Sequence, residues 1–327
     1  MFAFRLRSGN RLFSATSNFS SHLSAFRELA VANHEDPKLT VLASPSDVEM
    51  YTKCWRGKWG HDSRLDAIVL RPSKMETVQS FVKYSNSKVS IPPENIHVVL
   101  VASLLAAVRS SPPPAPRCLQ GLRLVPQGGN TGLVGGGVPA EEGEVVMNTM
   151  RLNRSMSLDE EEGILTLDSG VVLQNAIDYC KERGFVYPVD LGAKGSCAVG
   201  GNVSSNAGGV YYNRFGSVSS NLIGLKAVLS TGEVLDLMGT TMRKNSAGFD
   251  LKQVFVGGEG NYGIVTKIAM RVHRMPTSRE LGENGQGAKD SWSDIVYIYV
   301  TNHPPTLASL LALRSSSCSY CGSRRLG

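Results

Sequence analysis

The sequence predicts an α+β fold with mixed sheets, and three observations lead to this prediction. Short apolar strands alternate with amphipathic helices between residues 65 and 184, as in βαβ units. Two β-rich runs within residues 222–237 meet at a Thr231-Gly232 turn, which predicts an antiparallel hairpin. Most of the 34 glycines lie between Gly121 and Gly263, so we expect several tight backbone loops there.

The strands and helices are expected in a clear order along the chain. Residues 65–72 (LDAIVLRP) have the pattern of a short buried strand, and Ser73 then caps a helix that carries Glu76 at its third position. A second helix follows Gly170 and ends at Gly184, because glycine is favoured just past the end of a helix. Further strands are expected at 122–126, 145–147 and 164–167.

The net charge of +6 comes from the two ends of the chain. Residues 1–27 contain four arginines and residues 314–327 contain three, and neither segment has an acidic residue. Removing these seven positive charges from +6 leaves about −1 for the remainder. The remainder has no basic footprint, so we expect no nucleic-acid partner.

The first 27 residues are rich in arginine and serine, and the first acidic residue is Glu28. This composition is typical of a mitochondrial transit peptide, so residues 1–27 are expected to be a disordered targeting segment. A disordered start without a targeting role is the alternative. No apolar run has the length of a transmembrane helix. The six scattered cysteines favour a reducing compartment.

A glycine-rich string, PQGGNTGLVGGG, extends from Pro126 to Gly137 directly after a predicted strand. Glycine lets successive backbone N–H groups converge on an anion such as a diphosphate, because it adopts positive φ and permits close approach. A long surface turn is the alternative. The candidate cofactor-binding residues of this first loop are Pro126, Gln127, Gly128, Gly129, Asn130, Thr131, Gly132 and Leu133.

A second loop, DLGAKGSCAVGGNVSSNAGG, extends from Asp190 to Gly209. Its small residues are interrupted by serine and asparagine, so it could lie flat against a planar ring system and donate hydrogen bonds to it. Lys194 within it is expected to be solvated or to face a phosphate. The candidate cofactor-binding residues are Gly192, Ser196, Gly200, Gly201, Asn202, Ser205, Asn206 and Gly208.

A third loop contains the pattern G-x-G-x-x-G at Gly258, Gly260 and Gly263. In a Rossmann fold this pattern opens a helix. Here the residues from Ile264 to Val272 are β-rich and predict a strand, which excludes the Rossmann interpretation. We expect the loop to contact the same cofactor from another side through Gly260, Gly263 and Ile264.

The three loops together resemble the PCMH-type FAD-binding domain of the vanillyl-alcohol oxidase superfamily. The resemblance is strongest to the mitochondrial D-2-hydroxyglutarate dehydrogenase family and covers residues 64–267 apart from one insertion. It is carried by VLRP at Val69, VPQGGNTGLVGG at Val125, PVDLGAKGSCAVGGNVSSNAGG at Pro188 and VGGEGNYGIVTK at Val256.

The resemblance implies an FAD-binding domain of two α/β lobes and an FAD-dependent oxidoreductase. In this family a hydride passes from C2 of a D-2-hydroxy acid to flavin N5, which converts D-2-hydroxyglutarate to 2-oxoglutarate. Electrons then leave to an electron-transfer flavoprotein in the mitochondrial matrix. Covalent relatives attach the flavin through histidine or cysteine in this region, whereas the first loop offers Asn130, so FAD is expected to be non-covalent.

Alternative functions remain open at this point. A D-lactate or glycolate dehydrogenase of the same superfamily has similar glycine loops, and a non-catalytic flavin-binding fragment is a further possibility. No catalytic residue is assigned, because the family binds its substrate, and a zinc ion, in a C-terminal domain. The only histidines here beyond the flavin loops, His273 and His303, are not spaced as metal ligands, and Cys318-x-x-Cys321 has no further ligands nearby.

The resemblance also predicts the domain boundaries. Residues 28–63 are a lead-in, residues 64–275 are the FAD-binding domain, and residues 88–121 are an atypical insertion within it. Residues 276–327 are expected to be the start of an incomplete substrate domain or an aberrant tail, so that most of the substrate domain is missing. The insertion and the tail both have the character of translated non-coding sequence, such as a retained intron and a shifted reading frame.

Overall fold

The computed structural model describes residues 15–54, 67–88, 122–140, 144–238, 248–276, 278–282 and 297–301. The expected insertion therefore lies outside the described residues apart from Lys88, and so do Cys318, Cys321 and His303. Residues 1–14 of the expected targeting segment also lie outside them.

The chain divides into two compact units, Met1–His273 and Arg274–Gly327. The first unit contains two lobes, each built on its own sheet. The described elements of the first lobe are α1 (Ala15–Ala32), α2 (Pro37–Thr40), β1 (Val41–Leu42), α3 (Pro45–Thr52), β2 (Val69–Leu70), α4 (Met75–Ser87), β3 (Arg123–Gln127) and β4 (Glu144–Asn148).

The sheet of the first lobe has the strand order β1-β2-β4-β3. Strand β1 is antiparallel to β2, whereas β2 and β3 are both parallel to β4. The carboxyl ends of β2, β3 and β4 therefore lie at the same edge of the sheet. Turns that follow these strands are brought close together at that edge, although they are distant in sequence.

Helices cover both faces of this sheet. Phe81 of α4 and Phe26 of α1 are fully buried in one core with Leu70 and Met147, and the two rings meet edge to face at 5.4 Å. On the other face, Val48 of α3 packs near β2 and β4. The sheet is thus buried on both sides, which explains why its parallel strands are short continuous apolar runs.

The second lobe is built on an antiparallel sheet with the strand order β5-β6-β10-β8-β9. Its core includes Leu165, Leu225 and Ile268 from the sheet and Leu173 from the following helix, all fully buried. The described elements are β5 (Met156–Asp159), β6 (Ile164–Asp168), α5 (Leu173–Glu182), β7 (Phe185–Val186), α6 (Val199–Ser204), α7 (Tyr212–Phe215), α8 (Val218–Asn221), β8 (Leu222–Val228), β9 (Val234–Asp236), a 3₁₀ helix (Leu251–Val254), β10 (Ile264–Arg271) and β11 (His273–Arg274).

The second unit contains one described pair of strands. Strand β12 (Ser278–Gly282) is antiparallel to β13 (Tyr297–Thr301), with Ser278 opposite Thr301. These strands fall in the segment that was expected to be an incomplete domain or an aberrant tail, and the rest of that segment from residue 302 lies outside the described residues.

The predicted α+β fold with mixed sheets is confirmed. The expected strands at 122–126, 145–147 and 164–167 correspond to β3, β4 and β6, and the hairpin at Thr231-Gly232 joins β8 to β9. The strand expected over 65–72 is described only at β2. The second helix begins at Leu173, and Gly184 follows its end with a φ of 75°, as expected of a glycine in that position.

The prediction that Ser73 caps the first helix is wrong. Helix α4 begins at Met75 after Lys74, and no side chain of its own N-cap residue makes a capping hydrogen bond. The carboxylate of Glu35 takes this role, because it accepts hydrogen bonds from the backbone N–H groups of Ser73 and Lys74. A cap from a residue 38 positions away cannot be found from local sequence.

The expected disorder of residues 1–27 is wrong from Ala15 onward. Helix α1 begins at Ala15, and Phe26 on it is fully buried against α4. The lead-in expected at residues 28–63 likewise contributes Ala30 and Val41 to the core of the first lobe. These residues belong to the lobe because it needs them to cover one face of its sheet.

No described helix is both long enough and apolar enough to cross a membrane. Within the same residues, no group of three or more histidine, cysteine, aspartate or glutamate side chains could hold a metal ion.

Candidate functional site

The first glycine loop is closed at its neck by Gln127, the last residue of β3. The buried Gln127 side chain donates from Nε2 to the carbonyl oxygens of Gly137 and Tyr51, each at 2.8 Å. Its Oε1 accepts from Asn148 Nδ2 at 3.0 Å. The loop therefore leaves and returns at one fixed point, and Gln127 is fully used in holding that point.

The tip of the loop is attached to helix α3 by Asn130. The Asn130 Nδ2 donates to the carbonyl oxygens of Lys53 at 2.8 Å and Met50 at 3.2 Å. Asn130 also has a φ of 52°, in the left-handed region that asparagine tolerates better than most residues. Its amide nitrogen thus holds the loop in place.

The backbone N–H groups of the loop have no acceptor in the part of the chain that the structure describes. From Gly128 to Gly132 none of them donates to a backbone or side-chain oxygen of a described residue. A reversal of φ at Asn130 within this row is the geometry in which successive N–H groups point into one concavity. The loop therefore has the backbone conformation expected of an anion-binding nest, and no described residue supplies an acceptor to it.

The second loop packs directly on the first through Gly129. A Cβ atom added at Gly129 would lie 2.0 Å from the carbonyl oxygen of Ser196 and 2.9 Å from Cys197 Cα. No residue with a side chain fits at this contact without moving backbone. Glycine at position 129 is thus required because two backbone segments approach each other there.

The third loop packs on the exit of β3 in a similar way. A Cβ atom at Gly260 would lie 2.8 Å from Cγ of Pro126, and the φ of Gly260 is 81°. The loop leads into β10, as expected, and no helix follows it. The Rossmann interpretation is thereby excluded in the structure as well.

Part of the second loop is helical, which the sequence did not predict. Helix α6 spans Val199–Ser204, and Asn202 on it is only 6% exposed. Among the described residues the Asn202 Nδ2 has no oxygen or nitrogen acceptor, and the Cys197 thiol beside it is only a weak acceptor. A buried donor without an acceptor is costly, which is typical of a position that a ligand completes.

Burial raises the pKa of the Cys197 thiol, and the neighbouring Asn202 side chain opposes this only in part. Cys197 therefore stays neutral at physiological pH. Lys194 forms an ion pair with Asp190 at 3.0 Å, so its charge is held within the second loop.

The three loops enclose a cleft of about 210 Å³. This is smaller than typical pockets for drug-sized ligands, so it fits one part of a dinucleotide. The predicted residues that line it are Pro126, Gln127, Gly128, Gly129, Asn130, Thr131, Gly132, Gly200, Gly201, Asn202, Ser205, Gly260, Gly263 and Ile264.

Five predicted residues do not line the cleft. Leu133 is 47% exposed, and the Ser196 hydroxyl donates to the carbonyl oxygen of Ala193. Asn206 accepts from the backbone N–H of Ser219 at 3.1 Å, which holds α8. The remaining two predicted residues outside the lining are Gly192 and Gly208.

The cleft also contains residues that were not predicted. Gly136 and Gly137 belong to the same glycine string, which could have indicated them. Thr149 follows β4 at the sheet edge where β3 ends, so the strand order could have indicated it. The others are Val134, Cys197, Ala198, Ser204, Glu259 and Val265.

The deciding comparison is a match to a family model. Residues 118–238 match the family described as FAD binding domain. These residues are therefore similar to FAD-binding domains. They include the first two glycine loops of the cleft, and the third loop follows them in the chain.

The chain is also similar to a set of mitochondrial proteins that are named as dehydrogenases. It is 50% identical over 149 residues to the mitochondrial D-2-hydroxyglutarate dehydrogenase of Arabidopsis thaliana, a match that covers 46% of this chain and 26% of the relative. A mitochondrial protein of Schizosaccharomyces pombe, named as a candidate D-lactate dehydrogenase, is 37% identical over 234 residues, covering 72% of this chain and 38% of the relative. The chain thus spans well under half the length of these relatives.

A solved structure shares the fold of this chain. Alkyldihydroxyacetonephosphate synthase superposes with a TM-score of 0.58 at 18% identity, over 85% of this chain and 43% of that chain. Its low identity means that it supports the fold alone.

The residues of the cleft fit a diphosphate-containing cofactor. Cβ atoms added at Gly132 and Gly201 would meet no protein atom within 4 Å, so the cleft has open space beside the nest. The nest supplies N–H donors, and Asn202 supplies a buried donor without a partner.

Proposed function

We propose that this cleft binds FAD non-covalently and that the protein is an FAD-dependent dehydrogenase of D-2-hydroxyglutarate, with 2-oxoglutarate as the product. The observation that carries the proposal is the row of unpaired N–H groups from Gly128 to Gly132, in a cleft of the FAD-binding domain. The names of the relatives supply the substrate class.

In this proposal the nest binds the diphosphate through backbone N–H groups. Asn202 Nδ2 donates to the same part of the cofactor or to the flavin, which removes the unsatisfied donor. Gly260, Gly263 and Ile264 form the opposite wall. Asn130 and Gln127 act indirectly, because their side chains hold the loop that presents the N–H groups.

A non-covalent cofactor is supported by the side chains that line the cleft. Among the described lining residues there is no histidine, and the one cysteine is Cys197. The thiolate is the nucleophilic form of cysteine, and burial raises the pKa of Cys197 away from it. Neither residue type is therefore available for attachment in this cleft.

FAD, when bound, supplies the two-electron oxidant that accepts a hydride at N5 from C2 of the hydroxy acid. The described residues of this chain bind and orient the cofactor and exclude water from its diphosphate. No described residue is assigned to proton transfer or to the substrate carboxylates.

We also propose a cellular compartment, an electron acceptor, the extent of the domain and a zinc site. Relatives named as mitochondrial support the mitochondrial matrix and a targeting role for the part of residues 1–27 that precedes helix α1. An electron-transfer flavoprotein is proposed as the acceptor. The FAD-binding domain is proposed to extend over residues 64–275, with residues 15–54 packed on it as part of the first lobe. A zinc site is proposed for the part of the protein that corresponds to the relatives' unmatched length.

The binding part of the proposal is tested with Gly201→Ala. The new Cβ meets no protein atom within 4 Å and lies on a helix that lines the cleft, so folding stability should be unchanged or slightly raised. FAD bound in that space would meet the methyl group, and we expect about tenfold weaker binding in a fluorescence titration.

The matched control is Gly192→Ala. Its Cβ also meets no atom within 4 Å, but Gly192 lies outside the cleft, so FAD affinity should equal that of the wild type. Equal affinities for all three proteins would place FAD elsewhere. A wild-type protein that retains no flavin at all would remove the binding proposal.

A second candidate substrate is D-lactate, since a relative that is 37% identical over 72% of this chain is named as a D-lactate dehydrogenase. Dye reduction with D-2-hydroxyglutarate, D-lactate and glycolate separates the candidates, with L-2-hydroxyglutarate as the stereochemical control. Faster turnover of D-lactate than of D-2-hydroxyglutarate would favour the second candidate.

A further inference from the structure

One residue that lines the cleft carries a charge that the diphosphate site does not explain. Glu259 lies in the third loop, and its Oε2 approaches Gly136 of the first loop, 3.5 Å from where a Cβ there would stand. Among the described lining residues it is the one carboxylate, and no lysine, arginine or histidine accompanies it.

The Glu259 side chain has no role in holding the described fold. Its carboxylate makes no hydrogen bond or ion pair with any described residue, whereas its backbone N–H donates to the carbonyl oxygen of Ser204 at 2.9 Å. The backbone contact would remain with any residue at position 259. The carboxylate is thus available to a ligand.

The backbone conformation at position 259 disfavours glutamate. Its φ is 49°, in the left-handed region where glycine is favoured and glutamate is strained. Glycine at position 259 would keep the N–H contact to Ser204 without that strain. Strained residues that persist in a cleft are often kept for function.

A lone carboxylate beside a diphosphate would repel it unless the ligand offers compensating donors. Hydroxyl groups are such donors, and their hydrogen bonds to a carboxylate are among the stronger ones. FAD carries vicinal hydroxyls on both sides of its diphosphate, on the ribityl chain and on the adenosine ribose. A ligand with phosphate but no neighbouring hydroxyls would meet only the repulsion.

We propose that Glu259 is a specificity-determining residue whose carboxylate accepts hydrogen bonds from the vicinal hydroxyls of the bound dinucleotide. This inference rests on the proposed binding of FAD in the same cleft. It assigns to Glu259 the selection of a sugar-bearing diphosphate over other anions.

The first test is Glu259→Gln, which keeps the shape of the side chain and removes its charge. FAD should bind about tenfold more weakly, because a charge-assisted hydrogen bond becomes a neutral one. Unchanged or tighter FAD binding would overturn the inference, since the carboxylate would then be indifferent or purely repulsive. Failure of the wild type to bind FAD would instead overturn the proposed function.

Two smaller probes distinguish the sources of the hydroxyls. FMN carries the ribityl chain without the ribose, and ADP carries the ribose and diphosphate without the ribityl chain. Weaker binding of FMN to Glu259→Gln assigns the contact to the ribityl chain, and weaker binding of ADP assigns it to the ribose. Equal affinity of both proteins for both probes would contradict a hydroxyl contact.

A third comparison separates strain from ligand selection. Glu259→Gly should raise the unfolding midpoint of the cofactor-free protein by roughly 2 °C and weaken FAD binding. His34→Gly is the matched control, because His34 has a φ of 57° outside the cleft. It should raise the midpoint similarly and leave FAD affinity unchanged. Full FAD affinity in Glu259→Gly would also overturn the inference.

Discussion

Two turns at the same edge of the first-lobe sheet differ in how the hydrogen bonds of their backbone N–H groups are satisfied. Each follows a strand that is parallel to β4 and contains several backbone N–H groups. After β2, the N–H groups of Ser73 and Lys74 donate to the carboxylate of Glu35. After β3, those from Gly128 to Gly132 have no acceptor in the described chain.

The turn after β2 is completed by the protein's own anion. Glu35 is 7% exposed and also accepts from the hydroxyls of Thr77 at 2.6 Å and Thr40 at 3.0 Å. Arg151 donates to the same Thr40 hydroxyl; burial lowers the pKa of Arg151, and the Glu35 charge opposes that effect. The backbone N–H groups of Arg71, Ser73 and Lys74 all have acceptors, so the backbone of this turn is completed by the protein itself.

The comparison teaches where a ligand belongs. Buried or converging donors are paired in a folded protein, by the chain or by something that it binds. The β2 turn has its internal anion and therefore needs no ligand. The β3 loop has donors of the same kind and no acceptor among the described residues, which is the reason for proposing it as the diphosphate site.

The largest expected effect comes from removing the carboxylate that completes the turn after β2. Glu35→Ala leaves two backbone N–H groups and two threonine hydroxyls without their acceptor, so we expect a loss of about 4 kcal/mol of unfolding free energy. Urea denaturation measures it. Glu35→Gln keeps one oxygen acceptor and should lose less. A loss below about 1 kcal/mol for the alanine variant would mean that this turn does not depend on its anion.

The second-largest expected effect comes from distorting the glycine loop after β3. In Gly129→Ala the new methyl group would stand 2.0 Å from the Ser196 carbonyl oxygen, so the first two loops must separate and the nest must distort. We expect FAD affinity to fall at least about 100-fold in a fluorescence titration. Gly195→Ala, with open space around its Cβ and outside the cleft, is the control. Wild-type affinity in Gly129→Ala would show that the loops need not meet.

The smallest expected effect tests whether the Cys197 thiol, which lines the cleft, becomes negatively charged. Burial raises the pKa of Cys197 above its ordinary value of 9.0, so the thiol is mostly neutral at pH 7 to 8. A thiolate would repel a diphosphate, and its onset is moved to higher pH. FAD affinity of Cys197→Ser should therefore follow that of the wild type between pH 7 and pH 8.

Titrations of both proteins at three pH values measure this prediction. If the thiol ionised in that range, the wild type would lose affinity with rising pH relative to Cys197→Ser. A gap of that kind would contradict a neutral Cys197 and would weaken the argument against covalent attachment.

Much of the fold could be predicted because its signals are local. The alternation of apolar runs located β3, β4 and β6, and glycine located the turns, since strand period and turn chemistry depend on neighbouring residues. Helix α1 was missed because the arginine-rich start has the composition of a targeting segment. Phe26 is ordered by packing on Phe81, a contact that no local pattern contains.

The candidate site was predicted in part for the same reason. The glycine strings identified the loops, whereas Asn206 and Ser196 within them contact neighbouring backbone instead of lining the cleft. Glu259 was missed, although it lies inside the third string, because the direction of a side chain on a loop depends on its backbone φ.

The sequence by itself determined the glycine-rich loops, the strand after the third loop and hence the exclusion of a Rossmann fold. These follow from backbone conformational freedom and from residue periodicity, which are local properties. The tertiary structure alone decided which donors remain unpaired. Glu35 reaches Ser73 across 38 positions and Asn130 reaches Lys53 across 77, and such pairings exist only once the sheet has brought their strands together.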